Sequence, residues 1–195
     1  MDLERFVALL YEWQSTHNLV SPASLTDVWH RHIADSLQLL DNAPKDLRNW
    51  LDLGSGAGFP GFIVAVASKQ VPERRFTLVE SNHKKAAFLR AAIRQAQMKA
   101  EVVPQRIESY AAGQPGLFDV VSARALASLV DLCGLAAPFL DRGRSVLLVL
   151  KGQDFERELR VASKSWDYDV VSTPSVTDPK GRVLALRNLR AKVHP

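Results

Sequence analysis

The sequence predicts an α/β fold: a doubly wound, mostly parallel sheet with helices on both faces, an N-terminal helical extension and a C-terminal antiparallel hairpin. Three observations predict it. From Trp50 onward, short apolar runs alternate with helical stretches, the pattern of parallel strands joined by crossover helices. A glycine-rich turn containing Gly54, Gly56 and Gly58 follows the first of these runs and precedes an apolar helix. Near the end, two β-rich stretches flank Asp178, Pro179, Lys180 and Gly181, a hairpin signal.

Leu3, Phe6, Val7, Leu10 and Trp13 recur at i, i+3, i+4, i+7 spacing and predict a first helix. The stretch Asn18 to Ser24, with Pro22 and two serines, interrupts it. Thr26 or Asp27 suits the cap of a second helix carrying Val28, Ile33, Leu37 and Leu40, which Asn42, Ala43 and Pro44 end. Strands are expected near 49–53, 75–80, 101–103, 118–122 and 145–150, and helices near 59–69, 83–97, 126–139 and 154–164. Residues 170–176 and 182–189 form the hairpin. The organisation expected is one domain over 1–195, with residues 1–44 as the helical extension and 45–195 as the core.

The 195 residues carry a net charge of +4, with 47% apolar and 24% charged side chains. These values exclude intrinsic disorder, which needs low hydrophobicity and high net charge. The longest apolar runs fall far short of the ~18 residues a membrane span needs. No basic segment followed by an apolar one opens the chain, so no secretory leader is expected. The single cysteine, Cys133, leaves no disulfide framework and no zinc-finger spacing. A cytoplasmic protein is the expectation. Residues 1–50 carry −3, residues 51–150 carry +4 and residues 151–195 carry +3. The basic excess in the later part suits a polyanionic partner, or simply a solvated surface.

The turn around Gly54 carries the functional signal. Glycines lack Cβ atoms, so a ligand can approach the backbone closely. In open α/β sheets ligands bind outside the carboxyl ends of the strands. Gly54, Gly56 and Gly58 give GxGxG, while Gly56, Gly58 and Gly61 also match the dinucleotide pattern GxGxxG. The second strand ends in Glu80, 26 residues after Gly54, where a carboxylate can accept hydrogen bonds from both ribose hydroxyls of an adenosine. That geometry serves NAD and S-adenosylmethionine alike, and the same carboxylate also suits a helix cap.

Asp52-Leu-Gly-Ser-Gly-Ala-Gly followed by Glu80 resembles the first two motifs of class I S-adenosylmethionine-dependent methyltransferases. The longer set is DLGSGAGFPG, ESNHKKAAFL, Arg106-Ile107-Glu108, FDVVSARA and LKG, with NLV (18–20) and RHIADSL (31–37) upstream. Together these resemble the small-subunit ribosomal RNA guanine-N7 methyltransferases, also called glucose-inhibited division protein B, over roughly residues 3–152. The resemblance implies a Rossmann-like class I fold, S-adenosylmethionine as cofactor, and small-subunit ribosomal RNA or the small ribosomal subunit as partner. It implies that Gly54 and Phe59 line the methionine and adenosine side of the cofactor. Glu80, Ser81 and Asn82 would hold the ribose and adenine edge, and Ile107 and Glu108 would flank the adenine, with ordinary strand-end packing the alternative for Ile107. Arg124, after the fourth strand, could pair with the cofactor carboxylate or an RNA phosphate, or form a surface ion pair; Lys151, at the end of the fifth strand, reads as a substrate phosphate contact or a solvated lysine. Asp52 is a second-rank candidate that could orient the turn or contact the cofactor's ammonium through water.

Guanine N7 offers an in-plane lone pair with no proton to remove, so transfer of a sulfonium methyl is mainly positioning and needs no general base. The catalytic residue therefore stays unassigned. Phe59, Pro60 and Phe62 are candidates to stack on the base, with core packing an equal alternative for Phe62. His30 and His32 are two apart on a helix, which points them to different sides and argues against a metal site. His32, Asp35 and Ser36 share one helix turn, suited to covering the site or to a helix–helix contact. Cys133 sits in an apolar helix and reads as core. A monomer, with no metal and no membrane, is expected. An NAD-type oxidoreductase and a non-catalytic RNA- or ribosome-binding module are the competing readings.

Overall fold

The computed structural model describes residues 2–113 and 116–193. Helix α1 (Asp2–Gln14) buries Phe6, Val7 and Leu10. The Gln14 side chain then shapes the break: its Oε1 accepts from Leu19 N and Val20 N at 3.0 Å, and its Nε2 donates to Val20 O. The expected second helix is instead divided. A short α2 (Pro22–Leu25) starts on Pro22, whose fixed φ and missing N–H suit a first helical position. Thr26 therefore follows a helix rather than capping one, and its hydroxyl donates to Ala23 O. A π-helical stretch (Trp29–Ala34), α3 (Asp35–Leu37) and a 3₁₀ stretch (Gln38–Asn42) complete the segment.

The core begins with β1 (Asn49–Leu53), α4 (Gly61–Ala67), β2 (Arg75–Val79), α5 (His83–Ala96) and β3 (Ala100–Val103). It continues with α6 (Ile107–Gly113), β4 (Val120–Arg124), α7 (Leu129–Ala136), β5 (Val146–Lys151) and α8 (Phe155–Ala162), and closes with β6 (Trp166–Pro174) and β7 (Arg182–Ala191). The seven strands form one sheet in the order β3-β2-β1-β4-β5-β7-β6. β1 to β5 are parallel, while β7 runs antiparallel to both β5 and β6. The expected sheet and hairpin are both present, with β6 starting earlier, at Trp166.

Two differences matter for the site. β4 lies two residues later than expected because Phe118 and Asp119 are used otherwise. Asp119 Oδ2 accepts from Arg48 N and Asn49 N at the start of β1, and Phe118 bridges to Leu140. Arg124 is therefore the last residue of the strand. α6 was not expected, since among its seven residues only Ile107 is buried and no apolar period marks it.

Side chains alternate across the sheet. Leu51, Leu53, Val121, Ala123, Leu147 and Val149 pack on one face with Leu132, Cys133 and Phe139. Burial pushes the Cys133 thiol up to about 12, in keeping with a core residue. On the other face Phe6, Phe62, Ile63, Leu78, Phe88 and Leu89 join α1, α4 and α5. Trp50, Phe76, Val120, Val146 and Leu148 fill the rest of that face with Leu39. The N-terminal helical segment thus packs onto the core. No described helix is long and apolar enough to cross a membrane.

Candidate functional site

The site is built at the carboxyl ends of β1, β2, β4 and β5. The glycine turn leaves β1 at Leu53 and enters α4 at Gly61. Ser55 N donates to Val79 O (3.0 Å), tying the turn to β2, and Gly58 N donates to Ser55 O (2.7 Å). Beneath it lies Asp52, with no solvent exposure. Its Oδ2 accepts from Gly61 N (3.1 Å) and its Oδ1 from Ser122 Oγ (2.6 Å). Ser122 in turn accepts from Trp50 Nε1 (2.8 Å). Burial pushes the Asp52 carboxyl up to about 6, against the opposing pull of these hydrogen bonds. Asp52 thus orients the turn from below. Gly61 permits this closeness, since a Cβ there would lie 2.5 Å from Asp52 Cβ and from Leu78 Cδ2.

Gly56 differs from Gly61. Its φ is +55°, and a Cβ there would meet only Gly54 O, at 3.8 Å, so this face of the turn is open. Glu80 sits against it. Oε2 accepts from Gly56 N (2.8 Å) and Oε1 from Asn82 N (2.7 Å). Only 8% of Glu80 is exposed. Two backbone donors thus fix a carboxylate beside an open glycine backbone. Asn82, not Glu80, caps α5: its Oδ1 accepts from Lys84 N and Lys85 N. Ser81 is exposed beside it. Ile107, buried, opens α6 against Leu53, Val79 and Val103, while Glu108 beside it is exposed. The structure therefore gathers Gly54, Glu80, Ser81, Asn82, Ile107 and Glu108 around the ends of β1, β2 and β3.

Arg124 is placed otherwise than at a surface ion pair. Its Nη1 donates to Arg31 O (3.0 Å) and Asp35 Oδ2 (3.3 Å), and its Nη2 donates to His32 Nδ1 (2.7 Å). It also lies 5.2 Å from the Phe59 ring centroid. This clamp ties the end of β4 to the N-terminal helical segment. The stacking expectation for Phe59, Pro60 and Phe62 is not met, because all three are buried. Phe59 is stacked by His32 at 4.6 Å and met edge-on by Phe6 at 5.6 Å, and Phe62 stacks on Phe6 at 4.4 Å. α1 and the π-helical stretch cover the aromatic faces that a base would use.

Beside the clamp lies a cavity of about 620 Å³. Arg31, His32, Arg124, Lys151, Glu158 and Arg182 are among its lining residues. The Lys151 ammonium is already engaged: it donates to Glu158 Oε2 (2.7 Å) and to Ala127 O (3.0 Å). Glu158 Oε2 also accepts from Leu129 N (2.7 Å), so this pair holds the segment after β4. Arg31 and Arg182 line the cavity with no carboxylate partner among the described residues. No group of three or more His, Cys, Asp or Glu that could hold a metal occurs among the described residues.

Sequence reasoning missed the part played by the β6–β7 loop. Asp35 Oδ1 accepts from Thr177 Oγ1 (2.7 Å) and from Gln38 Nε2 (2.9 Å), and Gln38 Oε1 accepts from Val176 N (3.1 Å). The contacts made by Thr177 and Val176 span more than 130 residues. The only local signal was the polar, Gly- and Pro-containing turn itself.

The fold resembles solved methyltransferases. A cofactor-bound protein from MTB aligns with TM-score 0.67 at 19% identity, covering 96% of this chain and 89% of that one. An O-methyltransferase from Bacillus cereus in complex with SAH aligns with TM-score 0.59 at 16% identity, covering 94% and 90%. Sequence relatives are much nearer. A ribosomal RNA small subunit methyltransferase G from Cereibacter sphaeroides (strain ATCC 17029 / ATH 2.4.9) is 45% identical over 96% of this chain and 89% of its own length. One from Methylobacterium sp. (strain 4-46) is 47% identical over 96% and 87%. The family model described as rRNA small subunit methyltransferase G matches residues 1–186. The match spans most of the chain, and the chain belongs to the GidB family, rRNA small subunit methyltransferase G.

Proposed function

We propose that this chain transfers the methyl group of S-adenosylmethionine to N7 of a specific guanine in small-subunit ribosomal RNA. The observation that carries the reading is the Glu80 carboxylate, fixed by Gly56 N and Asn82 N beside an open glycine backbone; Arg124, at the end of β4, lines a cavity that mixes the cations Arg31, Lys151 and Arg182 with the carboxylates Asp35, Glu158 and Asp178. These residues fit the cofactor. Glu80 has lone pairs left to accept ribose hydroxyls, Gly56 leaves room for close approach, and Ile107 offers an apolar edge for an adenine. When bound, S-adenosylmethionine supplies a methyl group already activated on a sulfonium.

The chain's own work is alignment and charge. N7 attacks with its lone pair, so no side chain has to take a proton first. Arg31 and Arg182, which have no carboxylate partner among the described residues, suit phosphate contacts better than Lys151, whose charge Glu158 already meets. Arg124 holds residues 1–44 onto the 45–195 core and so shapes the wall between cofactor and substrate. The reading takes the chain as one functional domain, acting as a monomer in the cytoplasm, on naked RNA or on the small subunit.

The test is methyl transfer from labelled S-adenosylmethionine to small subunits and to naked ribosomal RNA from a strain lacking this activity. The product is mapped by cleavage at N7-methylguanosine. Incorporation at one guanine, abolished in Glu80→Ala, is expected. Tight S-adenosylhomocysteine binding without incorporation into either substrate overturns the assignment.

A further inference from the structure

His32 is a polar group the methyl-transfer argument leaves unused. It is 8% exposed and sits inside the π-helical stretch Trp29–Ala34, a wider turn that recurs at functional sites. A guanidinium can only donate, so Arg124 Nη2 fixes His32 Nδ1 as an acceptor. The imidazole proton is therefore on Nε2. That Nε2 is buried and has no hydrogen-bond partner among the described residues. A buried donor without a partner costs stability, and such a group calls for a role. His32 lines the cavity together with Arg31, Arg124 and Arg182.

Resting on the guanine-N7 reading above, we propose that His32 Nε2–H is the group that recognises the substrate base, donating to the O6 carbonyl of the target guanine. O6 neighbours N7 on the same edge of the purine, so a donor on O6 orients N7 while leaving its lone pair free. Adenine carries an amino donor at that position and would face this N–H with the wrong polarity. Charge supports a histidine here rather than another arginine. As N7 takes the methyl group, the purine becomes cationic, and a cation bonded to O6 would repel it. His32 is neutral at ordinary pH: desolvation first, then Arg124 and Arg31, pull its pKa down to about 4. Arg124 itself is paired with Asp35 at 3.3 Å. Its bond to Nδ1 also polarises the ring and strengthens the opposite N–H as a donor. Nε2 lies below the solvent surface, so the base reaches it as side chains of the cavity wall move aside, with the Arg124 bond to Nδ1 kept.

The experiment measures kcat/KM for ribosomal RNA ligated to carry guanine, or 2-aminopurine, at the mapped position. 2-Aminopurine keeps N7 and lacks O6. The guanine to 2-aminopurine ratio is compared between wild type, His32→Phe, His32→Gln and His32→Met, so that the intrinsic reactivity of N7 cancels. S-adenosylhomocysteine affinity reports whether each variant retains its cofactor site. The wild type is expected to favour guanine. His32→Phe lowers that ratio roughly tenfold or more, through loss of the guanine reaction alone. Gln keeps an N–H donor and Met does not, so His32→Gln retains part of the ratio that His32→Met loses. A ratio unchanged in His32→Phe, or equal in the Gln and Met variants, overturns the assignment of His32 while leaving methyl transfer intact. A wild type that modifies no guanine at all overturns the N7 reading itself, and this proposal with it.

Discussion

Replacing Glu80 by Gln tests the cofactor half of the site, because the change keeps volume and removes charge. Glu80 accepts two short backbone hydrogen bonds, from Gly56 N at 2.8 Å and Asn82 N at 2.7 Å, one on each oxygen. An amide has one oxygen, so either Gly56 N or Asn82 N must face an NH₂ group. Hydrogen bonds to a charged group contribute about 1.5–3 kcal/mol each, and the residue is 92% buried, so solvent compensates little. The apo protein should lose about 1.5–3 kcal/mol, which for a chain of this size is a fall in Tm of roughly 3–12 °C. Ligand binding suffers separately. If the ribose hydroxyls donate to the carboxylate, losing one charge-assisted bond weakens S-adenosylhomocysteine by roughly 10- to 150-fold. Calorimetric titration of folded Glu80→Gln at low temperature reads the second effect apart from the first. An S-adenosylhomocysteine Kd within twofold of wild type, in a variant whose Tm has fallen, would refute the reasoning: Glu80 would then be a brace for the turn and not a ribose ligand.

Asp52 gives a pH prediction. Its folded pKa, about 6, lies above the ordinary 3.8, so the folded state holds its proton more tightly than the unfolded chain does. Its contribution is complete below about pH 4 and is lost as the pH rises through 6. Relative to Asp52→Asn, wild type should lose about 3 kcal/mol of unfolding free energy over that window, measured by urea titration; a pH-independent difference sinks the idea. The two turn glycines should part company. Gly61→Ala puts a Cβ 2.5 Å from Asp52 Cβ and Leu78 Cδ2 and should cost about 1–3 kcal/mol of stability through overpacking. Gly56→Ala meets no clash, loses about 1–2 kcal/mol to its left-handed backbone, and should impair S-adenosylhomocysteine binding more than its stability loss explains. Thermal melts with and without ligand separate them, and equal ligand shifts would count against an open cofactor face at Gly56. In filter binding of ribosomal RNA, Arg31→Ala and Arg182→Ala should each lower the log K against log salt slope by about 1. Lys151→Met should leave it unchanged, and a fall there would return Lys151 to the phosphate contacts.

Local patterns carried the sheet, and their limits explain the rest. Parallel strands are short apolar runs bounded by turns, so β1, β2, β3 and β5 were readable within a residue or two. β4 was displaced because Phe118 and Asp119 look like strand residues until Asp119 is seen accepting from Arg48 N and Asn49 N. α6 escaped because its single buried residue, Ile107, gives no period to detect. Glu80 could be placed opposite the glycine turn from spacing, since adjacent parallel strands bring their carboxyl ends together. Nothing local says that Asn82 takes over the capping of α5 and so leaves Glu80 free to face Gly56.

The substrate half was hidden for a physical reason of another kind. Phe59 and Phe62 read as stacking surfaces because aromatics near a ligand turn often are, yet residues far back in the chain cover them: Phe6 and His32. Arg124 and Lys151 read as contacts to a cofactor carboxylate or a phosphate because charge is visible in a sequence and its partner is not. Their partners, Asp35 and Glu158, stand 89 and 7 residues away. A cation whose charge is met inside the protein supports a wall, whereas one without a carboxylate can meet a phosphate. That distinction moves the expected phosphate contacts from Arg124 and Lys151 to Arg31 and Arg182. It leaves Arg124 with a different task, which is to hold the N-terminal segment on the core and to fix the tautomer of His32.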